Sequence, residues 1–236
     1  MDLVPLTDIG SGLGLGSHEL IALVGGGGKT MLLHALGEVL EGRRILTTTT
    51  KMGCDEHGGL PILLDPTDGD LVAVDGPTMA WKGVSGMKAL GVSPEDCDRW
   101  FGLVDHVVVE ADGARDRPFK APAAFEPVVP RTTTVMLSAI GADALGRVIL
   151  DQCHRPMRVA ALASCRPGER LTPDRAATVL LHAEGALRAM PVQSRFAVVI
   201  TKVEASNEAL AADLISELHE RNPDLMVVPV GFESAA

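Results

Sequence analysis

The chain contains no tyrosine, and only 5 phenylalanines and 2 tryptophans in 236 residues. Its core must therefore be leucine, valine, isoleucine and alanine, and platforms on which unpaired bases could stack are scarce. Positive charge is also short: 21 Lys and Arg face 31 Asp and Glu, a formal net charge of −10 at pH 7. That balance argues against nucleic acid or an anionic membrane as a main partner. It leaves room for a nucleotide, whose phosphates are met locally by backbone dipoles. The 4 cysteines (Cys54, Cys97, Cys153, Cys165) form neither a C-x-x-C pair nor a zinc spacing, which suits reduced thiols in a cytoplasmic protein. No apolar run approaches membrane length, and no basic flank precedes an apolar core at the N-terminus. At this length one domain, 1–236, is the expectation.

What the chain does have is concentrated in Leu20-Ile21-Ala22-Leu23-Val24-Gly25-Gly26-Gly27-Gly28-Lys29-Thr30. Five apolar residues run into four glycines, then Lys29 and Thr30, then the helical pattern Met31 to Leu36. That order reads as buried strand, phosphate loop and helix. Backbone N–H groups can ring a phosphate only where no Cβ intervenes and a positive φ costs little. The helix N-terminus adds unpaired N–H groups and the positive end of a dipole. Lys29 would reach the β- and γ-phosphates of ATP or GTP, and the Thr30 hydroxyl would ligate Mg²⁺. The pattern G-x-x-x-x-G-K-[ST] would need glycine at Leu23. The variant K-G-G-x-G-K-[ST] fits from Gly25 to Thr30 but has Val24 in place of its first lysine.

The expected fold is α/β, a three-layer P-loop NTPase-like arrangement with a mostly parallel sheet and helices on both faces. Arg43 to Thr50 reads as the second strand, and its carboxyl end should lie near the phosphate loop. Thr49, Thr50 and Lys51 there could supply hydroxyls and a charge to metal or phosphate, whereas Thr47 and Thr48 read equally as strand formers. Residues 52–104 read as an insertion, with short strands at Pro61–Leu64 and Leu71–Val74 and a helix opened by Ser93-Pro94-Glu95-Asp96. Cys54, Asp55, Glu56 and His57 could bind a metal or form a polar loop.

Asp105 to Gly113 carries three valines into Glu110 and Asp112, a buried strand delivering carboxylates at its tip. In a phosphate-loop protein a carboxylate there holds Mg²⁺, here Glu110, with Asp112 behind it or orienting water. The stretch from Ala114 to Pro130 holds Arg115, Arg117 and Lys120 among four prolines. Those cations could stabilise transition-state charge in place of the lysine absent at Val24, with Lys120 approaching a phosphate or an acidic acceptor. The alternative is a proline-stiffened loop with ordinary surface charge. Later strands are expected at Thr132–Ala139, Arg195–Ile200 and Leu225–Val230. Thr201-Lys202-Val203-Glu204 stands where GTP-binding relatives have N-K-x-D. Thr for Asn and Glu for Asp leave adenine and guanine both open.

Taken in order, Val24 to Thr30, Leu46-Thr47-Thr48-Thr49-Thr50-Lys51-Met52, Glu110-Ala111-Asp112-Gly113, Lys120-Ala121-Pro122, Glu126-Pro127-Val128-Val129-Pro130 and His154-Arg155 resemble the YqeC family. Its members are described as accessory proteins of selenium-dependent molybdenum hydroxylases, so the resemblance implies a role in maturing such an enzyme or its cofactor. Three functions then compete: an NTPase assembly factor with slow hydrolysis, a transferase or ligase acting on a small molecule, and a non-hydrolysing nucleotide-binding regulator. Many relatives of the variant loop work as dimers, which makes a homodimer the assembly to test.

Overall fold

The computed structural model describes residues 1–231. Its centre is an eight-stranded parallel sheet. In chain order the elements begin with α1 (Ile9–Gly12), β1 (Glu19–Gly25), α2 (Lys29–Val39), β2 (Arg44–Thr48), β3 (Lys51–Gly53), β4 (Ile62–Leu64) and α3 (Asp68–Val72). Next come β5 (Pro77–Trp81), β6 (Gly83–Ser85), β7 (Lys88–Leu90), α4 (Pro94–Phe101), β8 (His106–Glu110), β9 (Phe119–Lys120) and β10 (Val135–Gly141). The last are α5 (Ile149–Gln152), β11 (Cys153–His154), α6 (Pro156–Leu162), α7 (Pro173–Leu180), β12 (Arg195–Val203), α8 (Glu208–Arg221) and β13 (Met226–Gly231). The sheet order is β13-β12-β10-β1-β8-β2-β5-β4.

Strand alternation explains the three layers. Ile21 and Leu23 of β1 pack with Leu32, Leu33 and Leu36 of α2 and with Ile9 of α1 on one face. Leu20, Ala22 and Val24 meet Cys97 and Trp100 of α4 and Leu71 of α3 on the other. Farther along that second face, Val198 and Ile200 of β12 bury Val159 of α6, Val179 of α7 and Leu214 of α8. The α/β expectation is met: a parallel sheet covered on both sides. Among the described residues no helix is long and apolar enough to cross a membrane.

Residues 52–104 divide between two places. β4 and β5 extend the central sheet, while β3, β7 and β6 form a small antiparallel sheet. The strand expected at Leu71–Val74 is not there: Leu71 and Val72 belong to α3. Thr67 Oγ1 accepts from the Asp70 N–H, and Asp70 accepts from the Thr67 N–H at 2.8 Å, a reciprocal cap that nucleates a helix. The strand lies instead at Pro77–Trp81. α4 begins as expected, with Ser93 capping and Pro94 at its first position. β10 starts at Val135, three residues later than expected, because Asp98 draws Thr132 out of line by accepting from its N–H at 2.8 Å and its hydroxyl at 2.7 Å.

β1 is the switch point of the sheet. From it the chain crosses through α2 to β2 on one side, with β8 laid between, while β10, β12 and β13 build the other side. In open parallel sheets the carboxyl end at such a point leaves a crevice. Gly25, Glu110 and Thr48 end their strands around it.

Candidate functional site

The turn leaving β1 is forced by close backbone approaches. Gly25, Gly27 and Gly28 have φ of 92°, 81° and 109°. A Cβ on Gly26 would sit 2.5 Å from the Arg117 carbonyl oxygen, and one on Gly27 would sit 2.2 Å from the Gly141 nitrogen. The Gly26 N–H donates to Ala139 O at 3.0 Å and the Gly27 N–H to Arg117 O at 3.1 Å. These two donors are therefore used to anchor the loop. The donors left over start at the N-terminus of α2, whose first-turn N–H groups have no intrahelical acceptor. Gly28 offers no side-chain cap there. An uncapped helix start behind a glycine turn suits an anion.

Two carboxylates meet this turn. Lys29 Nζ donates to Gly25 O at 3.0 Å and lies 3.4 Å from both Glu110 Oε1 and Asp112 Oδ1. Thr30 Oγ1 donates to Glu110 Oε2 at 3.1 Å. Burial works against the Lys29 ammonium, but Asp112 and Glu110 outweigh it and hold its pKa above the ordinary lysine value. Burial pushes the Glu110 carboxyl upward, partly offset by Lys29 and the Thr30 hydroxyl. Asp112 Oδ2 accepts the Gly25 N–H at 3.1 Å, whereas its Oδ1 is buried without a hydrogen bond.

The expected residues separate into three groups. Gly27, Gly28, Lys29, Thr30, Lys51, Glu110, Arg115, Arg117 and Lys202 line one cleft of about 420 Å³. Lys120 does not line it. Its side chain is 1% exposed and lies behind the carboxylates, 3.0 Å from Asp112 Oδ2 and 2.8 Å from Glu126 Oε2, donating also to Gly113 O at 2.7 Å. Proline-rich chain and the β9–β11 pair hold it there. The remaining residues support the backbone. Thr49 Oγ1 donates to Val128 O at 2.7 Å, and the Thr50 hydroxyl sits 3.2 Å from that of Thr48. Thr201 is buried and its hydroxyl donates to Gly27 O, tying β12 to the glycine turn. Lys202 pairs with Asp143 at 3.2 Å. Glu204 lies off the cleft, beside Asp143 and Asn207.

Cys54 to His57 form a single short helical turn in which Glu56 accepts from the Gly53 N–H. Among the described residues no group of three His, Cys, Asp or Glu side chains is assembled to hold a metal. The oxygen pair of Thr30 and Glu110 is the donor set that would suit Mg²⁺, which takes a carboxylate or two and leaves its other positions to water and phosphate. A larger cavity of about 640 Å³ lies at the other end of the strands beside Asp105 and His106, but no lysine or arginine lines it.

Sequence reasoning did not single out Glu126 and Arg155 as partners. Arg155, with left-handed backbone at φ 56°, places Nη1 3.0 Å from Glu126 Oε2. An alternating row of charge thus runs from Lys29 through Asp112, Lys120 and Glu126 to Arg155. The signal was the clustering of Lys120, Glu126 and Arg155 in successive motif blocks. Lys88, also missed, lines the cleft opposite no motif at all.

The family model for YqeC protein matches residues 21–157, a span that begins in β1 and ends just past Arg155. The chain belongs to the YqeC family. Uncharacterized protein YqeC of Escherichia coli (strain K12) is 31% identical over 218 residues, covering 86% of this chain and 84% of that protein. No solved structure matches. The family span holds the glycine turn, both carboxylates and the whole charge row, and it leaves out Thr201 to Glu204.

Proposed function

We propose that this YqeC-family chain binds a nucleoside triphosphate, ATP or GTP, with Mg²⁺ in the cleft at the end of β1. We further propose that it works as an NTPase assembly factor in maturation of a molybdenum-dependent hydroxylase or its cofactor. The observation that carries the nucleotide reading is the start of α2: an uncapped helix behind a left-handed glycine turn, with Lys29 and the Thr30–Glu110 oxygen pair beside it. The maturation role is what the family resemblance implies.

In this reading the N–H groups of α2's first turn and the Lys29 ammonium bind the phosphates. Thr30 and Glu110 would hold Mg²⁺, which when bound neutralises phosphate charge. Lys29 is drawn back onto Gly25 O and two carboxylates, so binding requires its ammonium to leave those acceptors. Asp112 keeps the Gly25 N–H oriented, which fixes the entry of the turn.

The test is calorimetry with ATP and GTP in Mg²⁺ on the wild type and Lys29→Ala. The expected result is micromolar or tighter binding by the wild type and none measurable in the variant, which stays folded by circular dichroism although its melt falls as Glu110 and Asp112 lose a buried partner. Equal affinity in both proteins would sink the assignment. Turnover by the wild type alone favours the NTPase, and turnover only with an added acceptor favours a transferase.

A further inference from the structure

The lysines of this chain fall into two sets. Lys29, Lys82, Lys120 and Lys202 each pair with a carboxylate. Among the described residues, Lys51 and Lys88 have neither an ion pair nor a side-chain hydrogen bond, and both line the cleft. Arg115, held at φ 51°, lines the same cleft and is likewise unpaired among the described residues.

Strand register shows how the two lysines come together. β3 and β7 are antiparallel, with Lys51 opposite Leu90 and Gly53 opposite Lys88. Lys51 and Lys88 therefore share one face as diagonal neighbours, roughly 7–8 Å apart. The other face carries Met52 and Ala89 into the main core. The small sheet is thus anchored by one side and turns both ammonium groups toward the cleft. Like charges gathered this way repel one another, and in a chain with 31 acidic residues carboxylates to pair them are abundant. Leaving these three cations unpaired at one cleft points to a charge supplied from outside.

That charge is distinct from the one α2 receives. The glycine turn, the helix start and Lys29 form one anion cradle, whereas Lys51 and Lys88 come from an element outside the central sheet. We propose that the cleft holds a second anionic ligand beside the nucleotide, a small phosphorylated molecule clamped by Lys51, Lys88 and Arg115. The proposal rests on the nucleotide reading only in assigning the Lys29 cradle to the triphosphate.

The experiment titrates inorganic pyrophosphate into protein saturated with Mg²⁺ and a β,γ-imido triphosphate, using adenine and guanine forms in turn. One equivalent of pyrophosphate is expected to bind. Each lost contact to a charged oxygen is worth about tenfold, so Lys51→Ala/Lys88→Ala, which removes two, is expected to weaken pyrophosphate roughly 100-fold. Nucleotide affinity in that variant should stay within about threefold, since a cation outside the triphosphate cradle contributes only screened, long-range attraction. Both lysines are exposed, so the fold should tolerate their loss, with a melt as the control. Pyrophosphate that only displaces the nucleotide, or an equal loss of nucleotide affinity in the double variant, overturns the clamp. If the wild type binds no nucleotide, the same titration on free protein still decides. Loss in Lys51→Ala/Lys88→Ala but not in Lys29→Ala supports the clamp, and equal loss in both overturns it.

Discussion

Lys120→Met is the most direct probe of the charge row. The substitution keeps an unbranched side chain of similar length but removes a buried cation from between two carboxylates, 3.0 Å from Asp112 and 2.8 Å from Glu126. Deleting one partner of a buried ion pair costs about 3–5 kcal/mol, mostly because the remaining charge stays buried and unpaired. Here the remaining charges have second partners: Arg155 at 3.0 Å from Glu126 and Lys29 at 3.4 Å from Asp112. The lower end, about 3 kcal/mol, is therefore expected. For a chain of this size that is a fall in Tm of about 6–12 °C. The double variant Lys120→Met/Asp112→Asn should recover part of it, because the amide oxygen can still accept the Gly25 N–H while no charge is left stranded. Coupling between neighbours in such a network is about 0.5–3 kcal/mol. Thermal melts of the wild type, both single variants and the double variant measure it. A Lys120→Met protein melting within 2 °C of the wild type, or additive losses in the double variant, would refute the account (both thresholds set by about 0.5 kcal/mol).

Gly27→Ala and Gly59→Ala separate a crowded left-handed glycine from an open one. Gly59 has φ 78° and nothing within 4 Å of an added Cβ, so its change should cost only the backbone term of about 1–2 kcal/mol. Gly27→Ala must also move the Gly141 backbone, and equal urea midpoints for the two variants would refute that reasoning. His154 supplies a pH test, because burial, then Arg155 and Lys120, push its pKa from the ordinary 6.5 down to about 4. A depressed folded-state value means that the unfolded chain binds the proton first, so stability falls as pH drops from 6.5 to 4. His154→Gln should flatten that part of the urea midpoint profile, and identical slopes for variant and wild type would remove His154 as a cause.

The parallel sheet was legible because β1, β8 and β12 are buried on both faces and so read as continuous apolar runs. α4 announced itself through Ser93-Pro94, local chemistry that survives in any tertiary context. Residues 61–90 resisted reading for the opposite reason. Leu71-Val72-Ala73-Val74 has the composition of a strand, but the reciprocal cap of Thr67 and Asp70 three residues apart decides for a helix. β6 and β7 are three residues each, too short for any periodicity to register.

The site divides along the same line between local and distant causes. Lys29, Thr30, Glu110 and Asp112 are set by the strand or helix that ends beside them, and adjacency in sequence was enough to find them. Lys120 ends the two-residue strand β9, which exists only because it pairs with β11, more than thirty residues later. Val24 completes the argument. It is 2% exposed in the core with Ala111 and Met136, so a lysine at this position would be buried against apolar neighbours. Lys120 does come close to it: Val24, Gly25, Asp112 and Lys120 border one cavity of only about 10 Å³. That space is at the lower limit for a single water. The Lys120 ammonium is bonded to Asp112, Glu126 and Gly113 O and does not line the cleft. The position of the cation absent at Val24 is thus filled by a lysine held between Asp112 and Glu126, whereas Lys51, Lys88 and Arg115 line the cleft without an ion pair among the described residues.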